Sequence, residues 1–303
     1  NSHNRKFSMK NNNRRRVVIT GMGWVTPLGH DIETVWEKLL AGESGIDRIK
    51  RFDATTFPTT FAGEVRDFDY KKFVSDPLKH EFTSLNTQYA LGAAVQAWNQ
   101  SGLSGYADLD KKRVGIYLGA GEGPPDFYNA VDTNLTGWDD GDKKVNSDAW
   151  IAASKENIGK RREICQEPGM PMMHLAMEFG VSGPAYNCLT ACAASTQAIG
   201  EAMELIRRGD ADVMIAGGTH TMIHPLGITG FNRLTALSTN NENPQGASRP
   251  FDLTRDGFVM GEGSGMVILE SLDHALARRS KGCSSDFEII VELIGFGSSA
   301  DAY

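Results

Sequence analysis

The chain has 303 residues and a mass of 33.0 kDa, enough for one large domain or two closely packed halves. Hydrophobic residues at 40% and charged residues at 23% describe a globular chain, and no run approaches the ~18 uninterrupted apolar residues of a membrane span. Residues 1–16 hold six Lys or Arg and no acid, leaving 25 bases against 38 acids and a net of −13, a poor balance for wrapping nucleic acid.

The Asn-rich tail over 1–13 is expected to be disordered. It has no apolar h-region, so it is no secretory signal, and the expected location is the cytoplasm. Val17–Thr20 reads as a short buried strand ending in a turn at Gly21-Met22-Gly23. Asp31 then caps a helix with apolar Ile32, Val35, Trp36, Leu39 and Leu40, closed by Gly42. Helical periodicity returns over 84–101 with an alanine-rich face for close packing. Val114–Leu118 reads as a strand running into a turn at Gly119-Ala120-Gly121. Residues 122–168 form a polar insertion with helical character near its end. A helix over MMHLAMEFG follows, then a strand over PAYNCL, a helix over 193–208 and a strand over Val213–Ala216. Met266–Leu269 is the next strand, Leu272–Arg279 a helix, and Phe287–Phe296 an extended run. Strands alternating with helices predict a layered α/β sheet.

Four cysteines (Cys165, Cys188, Cys192, Cys283) with no CxxC pair are neither a disulfide framework nor a structural zinc site. Gly21-Met22-Gly23 lacks the third glycine and the following acid of a dinucleotide fingerprint, since Thr26 stands where that glycine would. The sharper feature is Thr190-Ala191-Cys192-Ala193-Ala194-Ser195, with Cys192 where a strand hands over to a helix. A thiol there faces the positive end of the helix macrodipole, and unpaired backbone N–H groups stand ready for a developing oxyanion. Two readings stay open for Cys192, an acyl-accepting nucleophile and a buried structural cysteine. Cys188 reads as structural. Of the seven histidines, His220 and His224 follow a strand toward Cys192, and each reads as a partner base or as a packed histidine. The run carrying Arg249, Asp252, Arg255, Asp256 and Glu262 reads as a buried, ion-paired loop supporting the site.

The runs RRVVITGMGWVTPLG (ending at Gly29), RVGIYLGAG (113–121), TACAAS (190–195), GDADVMIAGGTH (209–220), ALSTNNENPQGASRPFD (236–252), RDGFVMGEGSG (255–265) and ELIGFGSSADAY (292–303) together resemble the 3-oxoacyl-[acyl-carrier-protein] synthases, the synthase II branch above all. The resemblance implies a thiolase-like α/β fold (αβαβα) of two βαβαβ halves, usually homodimeric. Residues 14–283 would be the N-terminal ketoacyl synthase domain and 284–303 the start of a truncated C-terminal half. It implies acyl transfer to Cys192, with its backbone N–H in the oxyanion hole, and then decarboxylative condensation with malonyl carried on acyl carrier protein. No metal or other cofactor is implied. Candidate pocket residues are Glu122, Thr190 and Phe231, and candidate carrier-docking residues are Lys79, Arg207, Arg208 and Arg233.

Four departures stand beside this resemblance. The family's catalytic histidines, lysine and second oxyanion donor follow the segment matching SSADAY, so condensation has no residue here to carry it, and the chain is expected to expose apolar surface meant for a missing half. Glu122 stands where relatives place an apolar pocket residue; it either opposes an alkyl chain or points to solvent. The 122–168 insertion is longer than in close relatives. LKHEFTSLNTQ (78–88) is poor in the bases that dock an acidic carrier, keeping Lys79 and His80, with Lys71 and Lys72 upstream. A non-catalytic partner resembling chain-length-factor subunits is the rival reading. Such subunits replace the cysteine that Cys192 retains. A degradative thiolase role is third.

Overall fold

The computed structural model describes residues 14–280 and 287–301; the tail expected over 1–13 and the boundary expected at 283 lie outside the described residues. In chain order the elements are β1 (Val17–Val25), α1 (Ile32–Leu40), β2 (Asp47–Arg48), β3 (Phe61–Ala62), α2 (Leu85–Gln100), β4 (Val114–Ala120), α3 (Phe127–Thr136), β5 (Trp138–Asp139), β6 (Lys144–Val145), α4 (Ser147–Asn157) and α5 (Lys160–Cys165). There follow α6 (Met170–Phe179), β7 (Ala185–Cys188), α7 (Ala194–Arg208), β8 (Val213–His220), α8 (Pro225–Arg233), β9 (Gly263–Ser271), α9 (Leu272–Ser280) and β10 (Val291–Glu292).

Six strands form one mixed sheet in the order β10-β1-β9-β8-β4-β7. Its strands β7, β4 and β8 run parallel, while β9 is antiparallel to both β8 and β1. The central strands β4 and β8 are buried on both faces, which is why they read in sequence as near-continuous apolar runs. On one face α2 and α6 bury Tyr89, Leu91, Trp98, Leu175 and Phe179 against Val25, Ile116, Leu118, Ile215 and Ile268. On the other, α7 buries Ala202, Met203 and Ile206 against Val17, Met214, Ala216 and Leu269. The layered α/β architecture expected from sequence is what these layers form.

Several local expectations change. β1 does not stop at Gly21-Met22-Gly23 but continues through it, with a bulge between Ile19 and Gly21. The two glycines let α2 lie against the strand: a Cβ on Gly21 would collide with the Ala97 carbonyl oxygen, and one on Gly23 with that of Ala93. The apolar face of α1 is mostly uncovered. Asp31 caps the helix as expected, accepting from Thr34 N–H at 2.7 Å, but Val35 is buried while Trp36, Leu39 and Leu40 are exposed. The stretch 122–168 is more ordered than its polar composition suggests, holding α3, α4, α5 and the β5–β6 pair. Of the extended run Phe287–Phe296, Val291 and Glu292 alone form a strand, pairing with Ile19 and Val18 on the outer side of β1.

Candidate active site

The carboxyl ends of β4, β7 and β8 share one edge of the sheet, the place where open α/β sheets bind ligands. The N-terminal end of α7 sits there. Gly119 and Gly218 lie side by side in the β4–β8 ladder. A Cβ on Gly119 would collide with the Ala194 carbonyl carbon, and one on Gly218 would stand 2.7 Å from Ser195 Cβ. The expected turn at 119–121 is therefore partly strand, and its first glycine is a bed for a helix.

Between β7 and α7 runs a single tight turn, Ala191–Ala193, with Cys192 at its centre and exposed. The thiol is exposed in this structure, not buried. Ala191 is held at φ 50°, a left-handed conformation costing about 1 kcal/mol for a residue with a Cβ. Cys188 ends β7 half-buried, its thiol donating to Ala194 O at 3.2 Å, and burial pushes its pKa up. That fits the structural role expected for it.

Around this edge the loop after β4 and the end of β8 converge. A Cβ on Gly121 would lie 3.1 Å from His220 Cε1 and 4.0 Å from Leu189 Cδ1. Glu122 and Thr190 are exposed beside them. Packing pushes the His220 pKa down, and the nearby Glu122 carboxylate opposes the shift. His224 caps α8, its Nδ1 accepting from Gly227 N–H at 3.2 Å. Burial, then His220 and Arg51, lowers its pKa too.

The Arg/Asp run is not the buried network expected. Arg249, Asp252, Arg255 and Asp256 are exposed or half-exposed, and Arg249 reaches Asp256 at 3.1 Å while Asp256 accepts from Ser238 Oγ at 2.8 Å. The run leaves Phe251 and Leu253 almost wholly exposed. Only Glu262 of the five is buried, and its partner comes from elsewhere. Arg51 donates to it at 2.7 and 2.5 Å, Tyr89 Oη at 3.0 Å, Val65 N–H at 2.9 Å, and Thr221 Oγ1 completes the set. Burial works against the charge on Arg51, and the Glu262 carboxylate outweighs it and raises the Arg51 pKa. Arg51 also donates to Ile223 O, so this knot pins the stretch between His220 and His224. Nothing in the sequence near Arg51 signalled the pairing.

Phe231, on α8, packs edge-on to Phe258 at 5.5 Å in a separate cluster with Ile223, Leu237 and Met260. Arg207 and Arg208 stand at the far end of α7 from Cys192, about 22 Å of helix away, tied to Glu204 and Asp210. Lys79 is exposed, but His80 is fully buried and presents no charge to a partner. Arg233 is exposed at the end of α8. A basic run that the sequence reading passed over, Lys160-Arg161-Arg162 of α5, lies against the Lys79 segment: Arg161 stacks over Phe82 at 4.5 Å. A shallow cleft of about 270 Å³ runs between them, lined by Phe82, Thr83, Ser84, Asp126, Arg162 and Cys165. The run was visible in sequence, but its place inside a polar insertion concealed it.

Residues 14–275 match the family model for the beta-ketoacyl synthase N-terminal domain. The chain is 42% identical over 291 residues to 3-oxoacyl-[acyl-carrier-protein] synthase 2 of Coxiella burnetii, covering 96% of this chain and 64% of that protein. It is 38% identical over 292 residues to the chloroplastic 3-oxoacyl-[acyl-carrier-protein] synthase I of Arabidopsis thaliana, covering 96% and 57%. The chain thus spans less than two thirds of the length of these relatives. Among solved structures it is similar to the ishigamide ketosynthase/chain length factor, with a TM-score of 0.75, 29% identity and coverage of 93% of this chain and 63% of that one. A type II polyketide acyl-carrier protein in complex with its ketosynthase bound to the hexaketide gives a TM-score of 0.69 at 32% identity, covering 88% and 60%.

Proposed function

Because the chain belongs to the beta-ketoacyl synthase family, we propose that it is the cysteine-bearing part of a condensing enzyme of fatty-acid or polyketide synthesis. The observation carrying this reading is the exposed Cys192 on its strained turn at the head of α7. In the proposed first step the Cys192 thiolate attacks an acyl thioester. The carbonyl oxygen becomes an oxyanion facing the Cys192 backbone N–H, and the donor thiolate leaves, giving acyl-S-Cys192. A malonyl thioester then loses carbon dioxide, and its carbanion attacks the acyl-cysteine carbonyl, releasing the Cys192 thiolate and a 3-oxoacyl thioester. The residues promoting decarboxylation are assigned to no side chain described above.

The donor we propose is an acyl carrier protein docking at Lys79 and α5. The segment after Lys79 supports this, because Asn86 Nδ2 donates to Gly121 O at 3.4 Å and Thr219 donates to Asn86 O, placing the segment on the Cys192 edge. Arg207 and Arg208, at the far end of α7, are the weaker candidates. Lys79→Glu with Arg161→Glu should slow transfer from an acyl carrier donor about tenfold more than transfer from a small acyl thioester; equal slowing would remove this docking site. The exposed outer edge of β7, with Tyr186 and Leu189 uncovered, supports a homodimer formed through that strand, and a sedimentation measurement returning a monomer would count against it. The free thiols of Cys165, Cys188 and Cys192 fit a reducing cytoplasm.

The deciding experiment is incubation with an acyl thioester followed by intact mass and peptide mapping. One acyl group on Cys192, absent from Cys192→Ala, is expected. Labelling that survives in Cys192→Ala, or none at all, would sink the assignment.

A further inference from the structure

Outside the Cys192 edge, two histidines from different elements meet in the interior. His80 closes the short turn Pro77–His80, and His174 stands on α6; they are 0% and 4% exposed. Their Nδ1 atoms are 3.0 Å apart. His80 Nε2 lies 2.8 Å from Oε2 of Glu178, one turn beyond His174 on α6, and Glu178 Oε1 accepts from Ser75 N–H at 2.8 Å. Tyr70 Oη donates to His80 O at 3.1 Å, and His174 Nε2 is buried without a partner.

Proton counting limits what this chain tolerates. With Glu178 ionised and both rings neutral, His80 Nε2 carries a proton and donates, so the single hydrogen between the two Nδ1 atoms is supplied by His174. One added proton is accommodated, because a charged His80 donates to His174 on one side and to Glu178 on the other. A second puts N–H against N–H and sets two cations side by side.

We propose that Glu178–His80–His174 is a pH-sensitive latch that holds segment 76–84 on α6 and releases it when both imidazoles are protonated. Among the described residues, Asp76 accepts from Leu78 N–H at 3.1 Å and Arg161 of α5 stacks over Phe82 at 4.5 Å. Helix α2 carries no acidic or basic side chain, and its Tyr89 is engaged with Glu262. Strands β4 and β7 offer Tyr117, Tyr186 and Cys188; Tyr117 and Tyr186 pack against each other, and the Cys188 thiol is bonded to Ala194 O. Lys71, Lys72, Lys79 and Glu81 point to solvent, and Lys111 caps the end of α6 at Phe179 O. Burial, followed by the charge of His80, lowers the His174 pKa to about 4, so the second proton arrives only as the pH falls to about that value. The released segment includes Phe82, Thr83 and Ser84, which wall the cleft beside Cys165, so opening the latch opens that cleft.

Hydrogen–deuterium exchange tests this, with protection factors corrected for intrinsic rates at about pH 7 and about pH 3.5. Amides 76–84 are expected to lose protection about tenfold or more at the lower pH while α2 holds within about twofold. In His174→Gln, which takes no second proton, the loss should shrink to under about twofold. In the wild type, an NMR titration should show the His174 ring gaining its proton across the same pH range. The proposal is overturned by undiminished protection at low pH, by α2 opening in parallel, by a full loss in His174→Gln, or by a His174 ring that stays neutral while protection falls.

Discussion

Helices α2 and α7 reach the sheet by the same means and to different ends. Each rests on two glycines whose missing side chains let the helix lie close on the strand, Gly21 and Gly23 against α2 backbone, Gly119 against α7 backbone and Gly218 against the Ser195 side chain. Under α2 the contact falls well inside β1, and the helix is buried nearly all round, so the gain is packing alone. Under α7 the contact falls at the carboxyl ends of β4 and β8. The buried part of α7 begins there, and the turn before it is lifted into solvent with Cys192 on it. One device stabilises a core and also positions the proposed nucleophile; its place along the strand makes the difference.

Adding a Cβ at each contact separates the two uses. Gly119→Ala should displace the head of α7 and slow Cys192 acylation about 100-fold, read as the rate of mass gain with an acyl thioester. Gly23→Ala should lower the unfolding free energy by about 3 kcal/mol, read by denaturant titration, with acylation per folded molecule within about twofold of the parent. Equal slowing in both variants would erase the distinction.

The foot of α7 is held by charge. Arg15 and Arg113 reach Asp212 at 2.6 and 3.0 Å and donate to the carbonyls of Ala211 and Gly209. The Arg113 hydrogen bond, helped by Arg15, holds the Asp212 carboxyl at about 2, below its ordinary 3.8. A depressed carboxylate contributes stability that is present above the unfolded value and lost as pH falls through the folded one. Asp212→Asn should therefore cost about 1–2 kcal/mol at neutral pH, and the deficit should vanish between about pH 4 and pH 2. Acylation of Cys192, at the other end of the helix, should change less than about twofold. A deficit that persists at pH 2 would mean packing, and not charge, anchors the foot.

The legible parts were those written locally. Asp31 ahead of an apolar period marks the start of α1, and a small-residue run holding Cys192 between strand and helix marks the candidate nucleophile. Misreadings came where a local pattern has two meanings. Glycine pairs at 21–23 and 119–121 looked like turns because glycine serves turns and close helix approach equally. The Arg/Asp run at 249–256 looked buried because alternating charges imply pairing, yet pairing occurs at the surface as readily. His80 looked like a docking base because it stands beside the exposed Lys79, yet it is fully buried.

The sequence alone determined the alternation of strands and helices, the helix capped by Asp31, the family, and Cys192 at the head of a helix, since each depends on neighbouring residues. The tertiary structure decided what each of these faces. Strand order sets β9 beside both β1 and β8, so Glu262 meets Arg51 across 211 residues, and the packing of α6 brings His174 to His80 across 94. Periodicity tells which face of an element is apolar. Which distant residue lies against that face is settled when the sheet orders its strands and the layers close.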